Sequence, residues 1–167
     1  MIKKICTALS ISILVTMTLV SVLLAIPPIL GFRTYAVLSG SMEPVLPVGS
    51  MAYVKSVLPK EVSPGDIITY TTAGNSAKLV THRVIGINTK GRTFITKGDA
   101  NEVEDGPVSF DRLVGRMRFN IPYLGYLTVF LKSKKGIIII LCTTILLILL
   151  TILPDVLSKP DHHRQKA

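Results

Sequence analysis

Four residues between position 41 and position 105 could perform hydrolysis together. A serine hydrolase needs a nucleophilic hydroxyl, a base within hydrogen-bond reach of it, and a group that orients the base. Ser41 stands in SGSMEPVLPVG (Ser39–Gly49), where Gly40 lets another backbone come close and Pro44 and Pro47 stiffen the turn. His82 is the single histidine between two long apolar runs; His162 and His163 lie beyond the second run. Asp99 and Asp105 share the acidic stretch KGDANEVEDGP. Each residue alone also has an ordinary structural reading. Ser41 would be a turn serine, His82 a core histidine alternating with Val80 and Val84, and the aspartates turn formers. Their order, their spacing and the organisation of the chain around them make the combined reading the stronger one.

Other chemistries find little to work with. The two cysteines, Cys6 and Cys142, both fall inside the apolar runs, so no disulfide staples the intervening segment and no thiol nucleophile is expected in it. Sortase-like thiol chemistry is thereby excluded. No metal-ligand spacing occurs and nothing marks an organic cofactor site, so none is expected. The segment 31–135 carries 14 basic and 8 acidic residues. A positive balance of that kind beside a bilayer attracts anionic headgroups. Nucleic-acid binding is disfavoured because no basic run is interleaved with aromatics.

The elements that must position these residues follow from composition. The 167 residues are 49% hydrophobic and only 17% charged. An ordinary soluble domain has about 25% charged residues, so the shortfall asks where the charges went. Residues 31–135 hold 22 of them, and the remaining sequence concentrates its apolar residues in two runs. Ile5 to Phe32 is 28 residues without a charge, enough for the ~20 that a spanning helix needs. It outlasts a cleavable signal's apolar core of about 7–15 residues, and no small-residue cleavage site closes it, so a retained anchor is expected. Gly136 to Leu153 is a second uncharged run of 18 residues, too long for a buried strand. Lys3 and Lys4 precede the first run and Arg33 alone soon follows it, which favours a cytoplasmic N-terminus. The expected organisation is therefore a cytoplasmic start (1–4), a transmembrane helix (5–30), an extracytoplasmic domain (31–135), a second transmembrane helix (136–153) and a cytoplasmic tail (154–167).

The domain reads as mainly β. Short β-rich runs are expected at Thr34–Leu38, Met51–Val57, Asp66–Thr72, Leu79–Asn88, Arg92–Lys97 and Leu113–Phe119, punctuated by Pro64-Gly65, Gly74-Asn75, Lys90-Gly91 and Asp105-Gly106-Pro107. No amphipathic helix is expected, and Ile121–Leu131 reads as a membrane-hugging lead-in to the second span. The tail from Pro154 reads as short, polar and loose.

Four motifs give the chain a family likeness: YAVLSGSMEP (Tyr35–Pro44), GDIITY (Gly65–Tyr70), THRVIG (Thr81–Gly86) and KGDANEVED (Lys97–Asp105). In this order they resemble a type I signal peptidase of the endoplasmic-reticulum subtype, also found in archaea and some Gram-positive bacteria. The resemblance implies a signal-peptidase-like β catalytic domain flanked by two transmembrane helices. It also implies that Ser41 is the nucleophile and His82 the general base, where the general bacterial subtype has a lysine. Of the paired aspartates it favours Asp105 as the group orienting His82, with Asp99 in support. Ser39 matches a serine that helps form the oxyanion hole in bacterial relatives. The implied substrates are secretory preproteins with small residues at the first and third positions before the cut.

Physical chemistry is consistent with a histidine base. A lysine must fall from about 10.4 to near 7, whereas an ordinary imidazole titrates near 6.5. Activity should therefore fall on acidification below about pH 6. Ser41 lies nine residues after Phe32. At about 3.3 Å per residue, it can stand no farther than roughly 30 Å from the membrane exit. Substrate could add as a strand to an open sheet edge beside Ser41. Two other functions remain open at this point: an inactive anchored β module that binds a partner or lipid, and a self-cleaving repressor-type serine protease. The oligomeric state is not legible.

Overall fold

The computed structural model describes residues 2–72 and 75–157. The Gly74-Asn75 turn falls partly, and His162 and His163 wholly, outside the described residues. The chain divides into two units, of which Ile26–Phe130 holds the candidate residues Ser41, His82, Asp99 and Asp105 and the other holds most of the two long apolar helices.

The first unit is a seven-stranded sheet in the order β1-β2-β7-β3-β4-β5-β6, with every neighbouring pair antiparallel. Its strands are β1 (Phe32–Ala36), β2 (Met51–Lys55), β3 (Ile67–Thr72), β4 (Asn75–Asn88), β5 (Thr93–Lys97), β6 (Val108–Ser109) and β7 (Leu113–Ile121). The expected strands are present with shifted ends, and the two-residue β6 had no signal of its own. In β3 four consecutive residues are buried, Ile67 to Tyr70, because both faces of the sheet are covered. Ile68 and Tyr70 join Val62, Val84, Phe94 and Val108 in one cluster, while Ile67 packs with Met42, Leu46 and Ala52 in another.

β4 is the strand that carries His82. It pairs with β3 along most of its length, but β5 pairs with it only from Arg83 to Asn88. Val84 gives its N–H to Asp66 and accepts that of Gly65, so its backbone groups point toward β3. By the alternation of a strand, Leu79 and Thr81 turn theirs to the opposite side. Among the described residues no strand pairs with them there.

The stretch Ile121–Leu131, expected as a lead-in to the second span with no helix of its own, is regular: β7 runs to Ile121, and an α-helix follows from Leu124 to Lys132. Its sequence LGYLTVFLK has no polar face and mixes glycine with β-branched and aromatic residues, so local propensity is weak. Tertiary contact supplies the helix instead. Gly125 sits so close to the Gly49 and Ser50 carbonyls that any Cβ would overlap them, and the Tyr126 N–H donates to the Gly49 oxygen at 3.2 Å. With this helix taken as α2, the long helices are α1 (Ile2–Ile29) and α3 (Lys134–Leu157).

α1 and α3 are each long and apolar enough to cross a membrane. Most of their side chains are exposed, Ile5, Leu14, Leu19, Ile138 and Ile148 among them, while a stripe at helical spacing on α1 (Cys6, Ser10, Ile13, Met17, Val20 and Leu24) is partly or fully buried. Serine and threonine cause no difficulty there, since Ser10, Thr16, Ser21, Thr143 and Thr144 each donate to the carbonyl four residues back. Pro154 does not end α3, which runs on to Leu157, so the first residues of the expected loose tail are helical. Lacking an N–H, Pro154 leaves the Leu150 carbonyl without its ladder bond, a loss confined to the last turn of the helix. Pro27 and Pro28 sit in the same way near the end of α1.

Candidate active site

Ser41 is set by what surrounds it in the loop between β1 and β2. Met42 and Leu46 are almost fully buried and anchor the loop in the sheet. Backbone bonds from Glu43 to Gly40 and from Leu46 to Met42 close its turns, and the Glu43–Pro44 peptide is cis. The Ser41 carbonyl accepts the Ala100 N–H at 2.9 Å. Gly98 lies directly under that carbonyl, where an added Cβ would stand 2.5 Å from the oxygen. The 98–101 turn thus buttresses the serine from behind.

His82 projects from β4 and is 7% exposed. Its Nε2 lies 3.1 Å from Ser41 Oγ and its Nδ1 lies 2.6 Å from Asp105 Oδ2. An ionised carboxylate only accepts, so Nδ1 must donate and the Nε2 lone pair is left facing the serine hydroxyl. Burial pushes the Asp105 carboxyl up, but hydrogen bonds from Thr96 and His82 outweigh it, and the net effect lies below the usual 3.8. The carboxylate is therefore ionised at neutral pH, as the histidine tautomer requires. In such a line the hydroxyl can pass its proton to the imidazole while the carboxylate steadies the resulting cation.

Of the two aspartates, only Asp105 reaches His82. Asp99 instead takes a two-point ion pair from Arg83, Nε to Oδ1 at 2.8 Å and NH2 to Oδ2 at 2.6 Å. The same guanidinium donates from NH1 to the Gly65 carbonyl at 2.9 Å, fastening the 98–101 turn to the start of β3. Ser39 is exposed two residues before Ser41 on the same loop. Among the described residues, no group of three or more histidine, cysteine or acidic side chains could hold a metal ion.

Sequence reasoning left three contributors unnamed. Tyr70 and Thr96 both bond Asp105 Oδ2, and Arg83 clamps Asp99. Tyr70 and Arg83 lie inside the quoted motifs GDIITY and THRVIG, but their partners, Asp105 and Asp99, sit in the loop between β5 and β6. Thr96 falls on the face of β5 that buries Phe94, and a strand's two-residue period would have placed it there.

Comparison with known proteins places the chain in a family. The family model described as Signal peptidase, peptidase S26 matches residues 10–114. The chain is 44% identical over 87 residues to Signal peptidase I W of Bacillus subtilis (strain 168), covering 50% of this chain and 45% of that protein. It is 32% identical over 126 residues to the signal peptidase complex catalytic subunit SEC11C of Rattus norvegicus, covering 66% of this chain and 65% of the relative. With the catalytic subunit SEC11 of Scheffersomyces stipitis the identity is 32% over 126 residues, covering 66% and 75%. The match thus spans about half of the bacterial relative and just under two thirds of the rat one. The family match covers most of the sheet and both sides of the Ser41–His82 contact, and the chain belongs to the S26 signal peptidase family as a membrane-associated member.

Proposed function

We propose that the chain is a membrane-anchored serine endopeptidase that removes N-terminal signal peptides from translocated preproteins. The observation that carries this reading is the hydrogen-bonded line from Ser41 Oγ through both ring nitrogens of His82 to Asp105. Ser41 Oγ attacks the scissile carbonyl while His82 Nε2 takes its proton. The proton passes to the departing amine, leaving an ester on Ser41, and a water deprotonated by His82 then releases the signal peptide. The Ser41 N–H and the Ser39 hydroxyl are the donors proposed for the oxyanion.

The unpaired side of β4 supports an extended binding mode. Leu79 and Thr81 offer N–H and C=O groups beside His82, and a substrate strand could hydrogen-bond to them and run past Ser41. Small residues before the cut would suit a backbone held this close to the sheet. The proposed topology puts the sheet on the extracytoplasmic side with both ends of the chain in the cytoplasm, following the lysines before α1.

The deciding experiment uses the full chain in detergent or liposomes with a purified preprotein, the product identified by its new N-terminus. Cleavage should vanish in Ser41→Ala and in His82→Ala, and the rate should decline on acidification once the base is protonated. Full activity in Ser41→Ala would overturn the proposal. The same assay separates it from an inactive β module, which cuts nothing, and from a self-cleaving protease, which cuts only itself.

A further inference from the structure

Asp105 Oδ2 holds more donors than the orientation of His82 requires. His82 Nδ1 lies 2.6 Å from it, Thr96 Oγ1 2.7 Å and Tyr70 OH 3.1 Å, and the two hydroxyls are themselves 3.2 Å apart. Tyr70 comes from β3, His82 from β4 and Thr96 from β5, so three adjacent strands converge on one oxygen. Tyr70 and Thr96 are both buried, at 5% and 0% exposure. Asp105 itself belongs to a stretch without regular structure, tied back where its N–H meets the Thr96 carbonyl at 2.7 Å and where Arg112 meets the Pro107 carbonyl at 2.9 Å.

We propose that Tyr70 and Thr96 form a hydroxyl pair that holds Asp105 Oδ2 on His82 Nδ1 and, by sharing its charge, sets the pH below which the base is lost. They are positioning residues, and the inference rests on the triad reading of Ser41, His82 and Asp105. A carboxylate on an irregular loop can swing about its side-chain torsions, and two buried donors from a rigid sheet restrict that swing. The same donors compete with the imidazole for one oxygen. Removing one leaves Asp105 with more charge to offer the imidazolium, which is stabilised, so the acid limb of the rate profile moves to higher pH.

The groups facing the imidazole are Tyr70 from β3, Asp105 from the loop and Ser41 opposite. Arg112 acts on Tyr70 from the turn Phe110–Arg112, and Arg83, the next residue on β4, is occupied by Asp99. Burial, with the Asp105 carboxylate beside it, pushes the Tyr70 phenol up to about 12, so it stays a donor throughout the neutral range.

The test is Tyr70→Phe, which removes one oxygen and keeps the ring, alongside Thr96→Ser and Thr96→Val. Tyr70→Phe and Thr96→Val should lower kcat about tenfold with KM little changed. Both should move the acid limb to higher pH, while Thr96→Ser should restore the wild-type rate and profile. A purely structural role would lower the melting temperature without moving the limb. An activity-free arm follows the His82 imidazole by NMR titration in Ser41→Ala, with and without Tyr70→Phe. Should Tyr70→Phe fail to fold, the two Thr96 variants decide the matter alone. If wild type cleaves, and folded Tyr70→Phe keeps both its kcat and its acid limb, the hydroxyl pair has no such role. If wild type cleaves nothing, the proposed function fails, and the NMR arm still decides whether Tyr70 moves the titration.

Discussion

Replacing either aspartate of the acidic loop by asparagine should fail in a different way, and the structure sets the ranking. Asp105→Asn puts an amide against His82 Nδ1 and removes the charge that steadies the imidazolium. The amide can donate to Nδ1, which turns the imidazole to the tautomer with its proton on Nε2, unable to accept from Ser41. In serine hydrolases losing this orienting carboxylate costs about 10⁴ in kcat, and a loss of that order is expected. Asp99→Asn leaves the line from Ser41 to Asp105 intact and breaks the ion pair with Arg83. That pair has good two-point geometry, but the side chains are 33% and 16% exposed, so solvent screens much of its attraction. A stability loss of about 1 kcal/mol is the appropriate scale. The activity loss comes through position: the 98–101 turn holds the Ser41 carbonyl through the Ala100 N–H, and a small displacement of the nucleophile costs about 10–100-fold. Measuring kcat and KM on a preprotein, with melting of each variant alongside, distinguishes the two modes. Arg83→Gln should match Asp99→Asn, and the double variant should lose little more than either alone. Equal activity losses for Asp99→Asn and Asp105→Asn, with both proteins folded, would refute the assignment of separate roles.

Two further outcomes follow from the same geometry. Gly98→Ala would push a methyl to within 2.5 Å of the Ser41 carbonyl and 2.7 Å of the Asn101 amide nitrogen, whereas Gly106 has nothing within 4 Å of its added Cβ. Cleavage should drop at least about tenfold in Gly98→Ala and stay at wild-type level in Gly106→Ala, and equal rates would remove the buttress from the account. Acid should unfold the sheet through Asp66 and Asp105. For both, burial raises the carboxyl pKa and hydrogen bonds more than reverse it, those from Ser63 and Arg116 for Asp66 and those from Thr96 and His82 for Asp105. A carboxyl lowered in the folded state contributes stability above its unfolded value, near 3.8, and loses it as pH falls through the folded value. Denaturant midpoints should therefore decline below about pH 4, less steeply in Asp66→Asn, and an unchanged slope in that variant would contradict the assignment.

What could be read in advance depended on whether a residue's partners were near it in sequence. The two long helices announce themselves because length and missing charge are local properties, and the strands because alternation and turn residues are. α2 left no trace, since its helicity comes from Gly125 pressing against the Gly49 and Ser50 carbonyls 75 residues away in the chain. Ser41, His82 and the two aspartates could be named from their motifs, but ranking the aspartates was beyond any motif. Which carboxylate meets the imidazole depends on how the 98–107 loop folds back across β4 and β5. Tyr70 and Thr96 were invisible as functional groups for the same reason: each is an ordinary strand residue until the sheet brings β3, β4 and β5 side by side.

That loop explains why His82 and Arg83 stand next to each other. Neighbouring residues of a strand point to opposite faces, so the pair can grip one loop from two sides. His82 takes Asp105 at the loop's far end while Arg83 takes Asp99 at its near end. Between these grips Ala100 holds the Ser41 carbonyl, so the loop is tied to the base, to the clamp on the neighbouring residue and to the nucleophile's own backbone. A shift of β4 would carry the imidazole and the turn behind Ser41 together, keeping the 3.1 Å contact between Nε2 and Oγ. On this account the six-residue spacing of the aspartates is the span the loop needs to reach from one face of β4 to the other. Lengthening it by one residue between Asn101 and Glu104 should spare the Arg83–Asp99 pair and break the line to His82. The inserted chain should then melt close to wild type yet cleave no better than Asp105→Asn, and near-normal cleavage would show that the spacing carries no such constraint.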